Sequence, residues 1–176
     1  FHDLDKVGAV ELATMSFGQR FTITPLQMIT AISAIANDGT LLQPKIVKSM
    51  TNTDTGEVTN FDTTKIRQVL STQTANQVKS MMKSVVTDGT GKNAQVQGYS
   101  IGGKSGTSEP VVGDTNSGYT TSFAAISPIE NTQVAILVTL YDPQGRSHQG
   151  GQTAAPVVSK ILSEVLPQMG IEPDQK

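Results

Sequence analysis

The hexapeptide Gly102-Gly103-Lys104-Ser105-Gly106-Thr107 leaves few options for its surroundings. One cation stands among residues with no side chain or a short hydroxyl, so another backbone can approach closely and find N–H and O–H donors beside a positive charge. On a strand, alternation puts Lys104 and Gly106 on one face and Ser105 and Thr107 on the other. An extended, anionic peptide suits such a strand, docking along its edge with a carboxylate held by the lysine and the hydroxyls. Two β-rich segments follow, Tyr119 to Ile126 and Thr132 to Tyr141, joined by the tight connection Ser127-Pro128-Ile129-Glu130-Asn131, which predicts antiparallel neighbours. The nearly unbroken apolar run Val134 to Val138 predicts a central strand covered on both faces.

Two motifs overlap at the lysine. Lys104-Ser105-Gly106 matches the Lys-Ser/Thr-Gly signature of penicillin-recognising acyl-serine enzymes. Gly98 to Ser105 also satisfies G-x-x-x-x-G-K-[ST], the phosphate-cradling P-loop, with Val134 to Leu140 and Asp142 as a possible acid-bearing strand. A P-loop must open into a helix directly after its lysine, whereas Gly106, Pro110, Gly113, Asn116 and Gly118 are strand-then-loop chemistry. The polar, glycine-rich stretch Asp88 to Gln97 before the motif is not a buried parallel strand either.

Thr24-Pro25-Leu26-Gln27 supplies an N-cap, a first-turn proline and a capping-box glutamine, and Gly39 stands at the far end, so a largely buried helix is expected over about Pro25 to Asn37. A short helix within Asp5 to Gln19 is weakened by Gly8. Leu41 to Phe61 reads as a surface hairpin around Asn52-Thr53-Asp54-Thr55-Gly56. A helix over Thr74 to Thr87 carries the stripe Val78, Met81, Met82, Val85 and Val86, its methionines read as core filling. Ser80-Met81-Met82-Lys83 within it matches S-x-x-K, but Ser80 and Lys83 point away from the stripe, where a solvated lysine cannot serve as an activating base. The last helix runs from about Ala154 to Leu166, with Thr153 as its cap, Val157, Val158, Ile161, Leu162, Val165 and Leu166 as its buried stripe, and Pro167 and Gly170 as its end. His148, in the polar loop from Asp142 to Gln152, is read as a surface histidine, and the tail Glu172 to Lys176 is expected to fray.

With 176 residues and 36% hydrophobic content, the chain can form one domain with a core or be a large piece of a longer one. A net charge of -2, 5% aromatics and no basic stripe give no reason to expect nucleic acid or an anionic membrane surface. There is no cysteine, hence no disulfide frame and no thiolate metal site. No apolar run is long enough to span a bilayer, and no signal segment opens the chain. It begins at Phe1 without a methionine, in what reads as continuous structure, and is expected to be a segment of a longer protein.

Ser16-Phe17-Gly18-Gln19, Thr24-Pro25-Leu26-Gln27, Ala36-Asn37-Asp38-Gly39, Val86-Thr87-Asp88-Gly89-Thr90-Gly91, Lys104-Ser105-Gly106-Thr107 and Gly150-Gly151, in this order and spacing, resemble the C-terminal half of a class B penicillin-binding protein of the division or sporulation type from a Gram-positive bacterium. The resemblance covers essentially the whole chain. It implies an α/β fold of the α+β type, an antiparallel sheet flanked by helices, of which residues 1–176 form the C-terminal portion of a single transpeptidase domain. The reaction implied is D,D-transpeptidation of peptidoglycan stem peptides through an acyl-serine intermediate, inhibited by β-lactams and needing no cofactor or metal. Lys104 would supply positive potential, Ser105 and Thr107 would bind the substrate or drug carboxylate, the Thr107 N–H would be one oxyanion donor, and Gly106 would permit close approach.

The family's S-x-x-K nucleophile and S-x-N motifs have no credible counterpart here; no Ser-x-Asn occurs anywhere in the chain. The nucleophile, its base and an N-terminal membrane anchor are therefore expected before Phe1, with the parent protein on the extracytoplasmic face of the cell membrane among division or sporulation partners. By itself this chain is expected to be inactive. The alternatives are a non-catalytic wall-peptide-binding module, a β-lactamase or β-lactam sensor, and a P-loop nucleotide-binding protein.

Overall fold

Among the described residues, the strand bearing the lysine forms one edge of a three-stranded sheet. A computed structural model describes residues 4–19, 21–110, 113, 118–145 and 147–175. Strand β5 will denote Gly102–Ser108, after the helices α1 (Ala9–Met15), α2 (Pro25–Ala36) and α3 (Thr72–Thr87) and the short strands β1 (Thr40–Leu42), β2 (Ser49–Thr51), β3 (Val58–Asn60) and β4 (Lys65–Gln68). Strands β6 (Thr120–Ser127) and β7 (Val134–Tyr141) and helices α4 (Gly150–Thr153) and α5 (Ala155–Gln168) complete the chain. The main sheet is antiparallel in the order β5-β6-β7, so the strand neighbours are those expected from the sequence.

The central position belongs to β6, not β7. Phe123, Ala125 and Ile126 on β6 are fully buried, while β7 is half-buried along nearly its whole length. The apolar run of β7 does have cover on both faces, since α2 and α5 both pack on it. Its outer edge has no strand partner among the described residues, and that open side accounts for the partial exposure.

Two clusters line the two faces of the sheet. On one, Phe123 and Ala125 pack with Val86, Ile101, Val158, Leu162 and Leu166, joined by Ile136 and Val138 of β7. On the other, Ile126 packs with Met82 and Ile129 under Ile32, Ile35 and Val78. Full burial of a leucine or phenylalanine contributes about 1.5–3 kcal/mol, so Phe123, Leu162 and Leu166 carry much of the cohesion of the first cluster.

Local expectations hold where the signals are chemical. Thr24 accepts from the Gln27 N–H at 3.2 Å and the Gln27 side chain returns a bond to the Thr24 N–H, so α2 starts as the capping box predicts. It is not largely buried, however: Ala34 alone is inside and Leu26 is 61% exposed, because α2 has partners on only part of its circumference. The hairpin β2–β3 is on the surface as expected, every residue exposed, but β1 and β4 form a second short ladder behind it that the sequence reading lacks. Helix α1 is shorter than Asp5 to Gln19, beginning after Gly8 and burying nothing.

Helices α3 and α5 are rotated slightly from the predicted stripes. The buried line on α3 is Ala75, Lys79, Met82 and Val86, while Met81 is 66% exposed and does no core filling. On α5 the line is Ala155, Val158, Leu162 and Leu166, and Val157 and Ile161 lie at its margin. Thr153 does not cap α5; its hydroxyl lies 2.9 Å from that of Thr121 on β6. Pro167 sits inside the last turn, and the helix stops at Gly170, whose φ of +69° is easy for glycine alone.

Candidate active site

Along β5, Lys104 and Gly106 face Ala124 and Ser122 of β6, and Ser105 and Thr107 face Phe123 and Thr121. Directly opposed residues share a face of the sheet, so the alternation read from the sequence is the one observed. Lys104 is exposed, and its ammonium donates to the Ser105 carbonyl at 2.7 Å. Among the described residues β5 has a strand on one side only, which leaves every second N–H and C=O along the other side without a ladder partner.

The strand is framed by two glycine-bearing segments that the sequence grouped with it without showing how. The first is the turn after α3. Thr90 brings its hydroxyl 3.4 Å from that of Ser105, a loose contact beyond the usual O–H···O range. The second is the start of α4, where the Gly150 N–H donates to Thr107 Oγ1 at 3.2 Å. A Cβ on Gly150 would come 2.5 Å from the Gly106 carbonyl, and one on Gly151 would collide with the Thr90 carbonyl. Asn93 closes the frame by donating to the Gly151 carbonyl at 2.8 Å. These glycines are therefore required by backbone contact, and that contact aligns α4, the Thr90 turn and β5.

The Thr107 hydroxyl accepts from Gly150, so its own O–H remains to donate elsewhere. With Ser105 half-buried and Thr107 exposed, the strand presents one ammonium, two hydroxyls and an open backbone edge within four consecutive residues. That set can hold a carboxylate and an extended chain, and it contains no nucleophile placed beside a base. Ser80 is exposed on α3 and Lys83 half-buried, with no hydrogen bond between them among the described contacts. Lys104 lies inside a strand with no helix opening after it, so the phosphate-cradle alternative lacks its defining geometry. The loop expected from Pro110 to Gly118 falls mostly outside the described residues.

His148 differs from the surface residue expected. It is half-buried and stacks on Tyr119, ring centroids 4.3 Å apart and planes 11° from parallel, and its Nδ1 is buried without a hydrogen-bond partner among the described residues. Tyr119 directly precedes Thr120, which pairs with Ser108 at the end of β5, and His148 stands two residues before Gly150, so the stack lies near the far end of β5. Sequence reasoning missed it because the two rings are 29 positions apart and neither belongs to a recognisable spacing. Among the described residues no cluster of three or more histidines and carboxylates could hold a metal ion.

Comparison with known proteins gives one consistent result. The family model described as the penicillin-binding protein transpeptidase domain matches residues 3–163. Stage V sporulation protein D of Bacillus subtilis is 37% identical over 97% of this chain, and the peptidoglycan D,D-transpeptidase FtsI homolog of Mesostigma viride is 31% identical over 89%. The chain spans only 27% and 29% of the length of those two relatives. The apo transpeptidase domain of Burkholderia pseudomallei penicillin-binding protein 3 superposes with a TM-score of 0.83 at 33% identity, over 100% of this chain and 51% of that one. Penicillin-binding protein 3 of Mycobacterium tuberculosis complexed with ampicillin gives 0.86 at 29% identity, over 100% of this chain and 41% of its own.

Proposed function

Because the chain belongs to the class B penicillin-binding protein transpeptidase family, we propose that it is the substrate-gripping portion of a peptidoglycan D,D-transpeptidase. In this reading residues 1–176 are the C-terminal part of one transpeptidase domain, and a preceding segment supplies the serine nucleophile, its lysine base and the membrane anchor. The observation that carries it is the edge strand β5, with Lys104, Ser105 and Thr107 displayed beside a backbone edge that has no strand partner among the described residues, and framed by Gly150 and Thr90.

Each residue then has a task. Lys104 draws the terminal carboxylate of a stem peptide, or that of a β-lactam, by charge. The hydroxyls of Ser105 and Thr107 donate to it, the latter already oriented by the Gly150 N–H. The Thr107 N–H faces the oxygen that gains negative charge as the serine attacks, and a donor preorganised at that point is worth about 10²–10³ in rate. Gly106 keeps the strand slim enough for a peptide to lie along it. Terminal D-alanine leaves, and an amine of a neighbouring stem takes the acyl group from serine. The place of action is the outer face of the cell membrane, in division or sporulation.

The test uses the longer protein that contains this chain, incubated with benzylpenicillin and read by intact mass and peptide mapping. One acyl adduct on a serine upstream of residue 1 is expected, and Lys104→Ala should slow its formation by about 10²-fold. An adduct on Ser80, or no adduct at all on the folded protein, would overturn the reading.

A further inference from the structure

Residues 171–175 do not fray; they close on the root of β5. The N–H groups of Asp174 and Gln175 donate to the Gly98 carbonyl at 2.9 and 3.1 Å, and the Tyr99 hydroxyl donates to the Ile171 carbonyl at 2.9 Å. Pro173 packs over Gly98, where φ is +85° and an added Cβ would sit 3.2 Å from the proline ring. The central contact is made by the Asp174 carboxylate. It accepts from the Ser100 N–H at 2.6 Å through Oδ1 and from the Ser100 hydroxyl through Oδ2.

Ser100 is 2% exposed, and every polar group it has is used. Besides donating to Asp174, its hydroxyl accepts from the Ile129 N–H at 2.9 Å, and its carbonyl accepts from the Ser127 hydroxyl at 3.1 Å. The residue thus joins the tail to the turn between β6 and β7, four positions before Lys104. Of the residues between them, Gly102 and Gly103 have no side chain with which to hold the strand in place. Ile101 is buried but makes only non-directional apolar contact. Upstream of Lys104 the β6 ladder holds Gly102 and Gly103 through the backbone, and Ser100 is the nearest residue tied down through its side chain, by a charged group that comes from Asp174.

We propose that Asp174 is a positioning residue for acyl transfer: by holding Ser100 it fixes the placement of Lys104 to Thr107 along β5. This rests on the transpeptidase reading above. A catalytic donor displaced by a fraction of an ångström loses transition-state stabilisation before it loses ground-state binding, so the effect belongs in the chemical step.

The test is single-turnover acylation of the longer protein by benzylpenicillin, separating the non-covalent Kd from the acylation rate constant, with hydrogen exchange read on peptides covering residues 98–106. Asp174→Ala is expected to lower the rate constant roughly tenfold, keep Kd within about twofold, and speed exchange at residues 100–105. Asp174→Asn, which keeps the shape and one acceptor, should fall between wild type and alanine, and it carries the comparison if the alanine variant does not fold. An unchanged rate constant in folded variants, with faster exchange or a lower melting temperature, would make the contact structural only and overturn the proposal. Failure of the wild-type protein to acylate would overturn the transpeptidase reading and this inference with it.

Discussion

Lys79 places an ammonium on the buried face of α3, 6% exposed, and Asp38 is its ion partner at 3.0 Å. Asp38 ends the α2 segment at a φ of +52°, a region that aspartate and asparagine tolerate better than most residues, and its carbonyl accepts from Gln68 at 2.8 Å. Removing the carboxylate would strand a buried charge, whereas replacing the lysine by an apolar chain of similar length would remove the need for a partner. Asp38→Asn keeps the backbone geometry and is expected to cost about 1–3 kcal/mol, tempered by the exposure of Asp38, and Lys79→Met less than half of that. Urea unfolding of the complete domain checks the order; a larger loss for Lys79→Met would show that the lysine contributes by more than charge.

At the scale of elements, what could be read in advance follows the range of the signal. The start of α2, the strand pair β6–β7 and the lysine-bearing strand β5 are each announced by residues within a few positions, through capping chemistry, alternation and small side chains. The docking of the tail depends on partners 74 positions apart, and the Tyr119–His148 stack on two isolated rings, so neither has a local signature. Lys79 was invisible because a lysine in a helix reads as solvated until its carboxylate is found 41 positions away. The small strands illustrate a different separation: β1 and β4 pair at Leu42 and Lys65, and Gln43 donates to the Thr64 carbonyl at 2.9 Å, so the ends of the hairpin segment are already held together. Replacing residues 46–61 with a short Gly-Ser turn should therefore shift the melting temperature of the domain by no more than about 2 °C, since the loop being closed is shortened and no buried residue is lost. A drop of 10 °C on calorimetry would place part of the core there after all.

For the molecule as a whole, both outer strands of the main sheet lack a strand partner among the described residues, and Val10, Leu12, Phe17 and Leu26 are exposed on α1, α2 and the segment between them. Apolar surface and open ladders of this kind favour pairing between copies. The isolated 176-residue chain is expected to sediment as oligomers whose size grows with concentration, and to give no penicillin adduct by mass spectrometry. A strictly monomeric, cooperatively melting species would show that these edges are adequately protected by the fold itself.

The glycine frame around β5 also bears on how such a site can change over time. Positions 103 and 150 meet ring atoms or carbonyls that a methyl group would strike, and position 151 is closed by the Thr90 carbonyl, so single substitutions there displace the strand before they can adjust what it holds. The half-buried pair Tyr119 and His148 lies near the end of the same strand and meets through stacked side chains, so one ring can replace another without driving a Cβ into a carbonyl. Divergence in ligand preference among related sequences should therefore accumulate at that pair, and the glycine frame should stay fixed while it does.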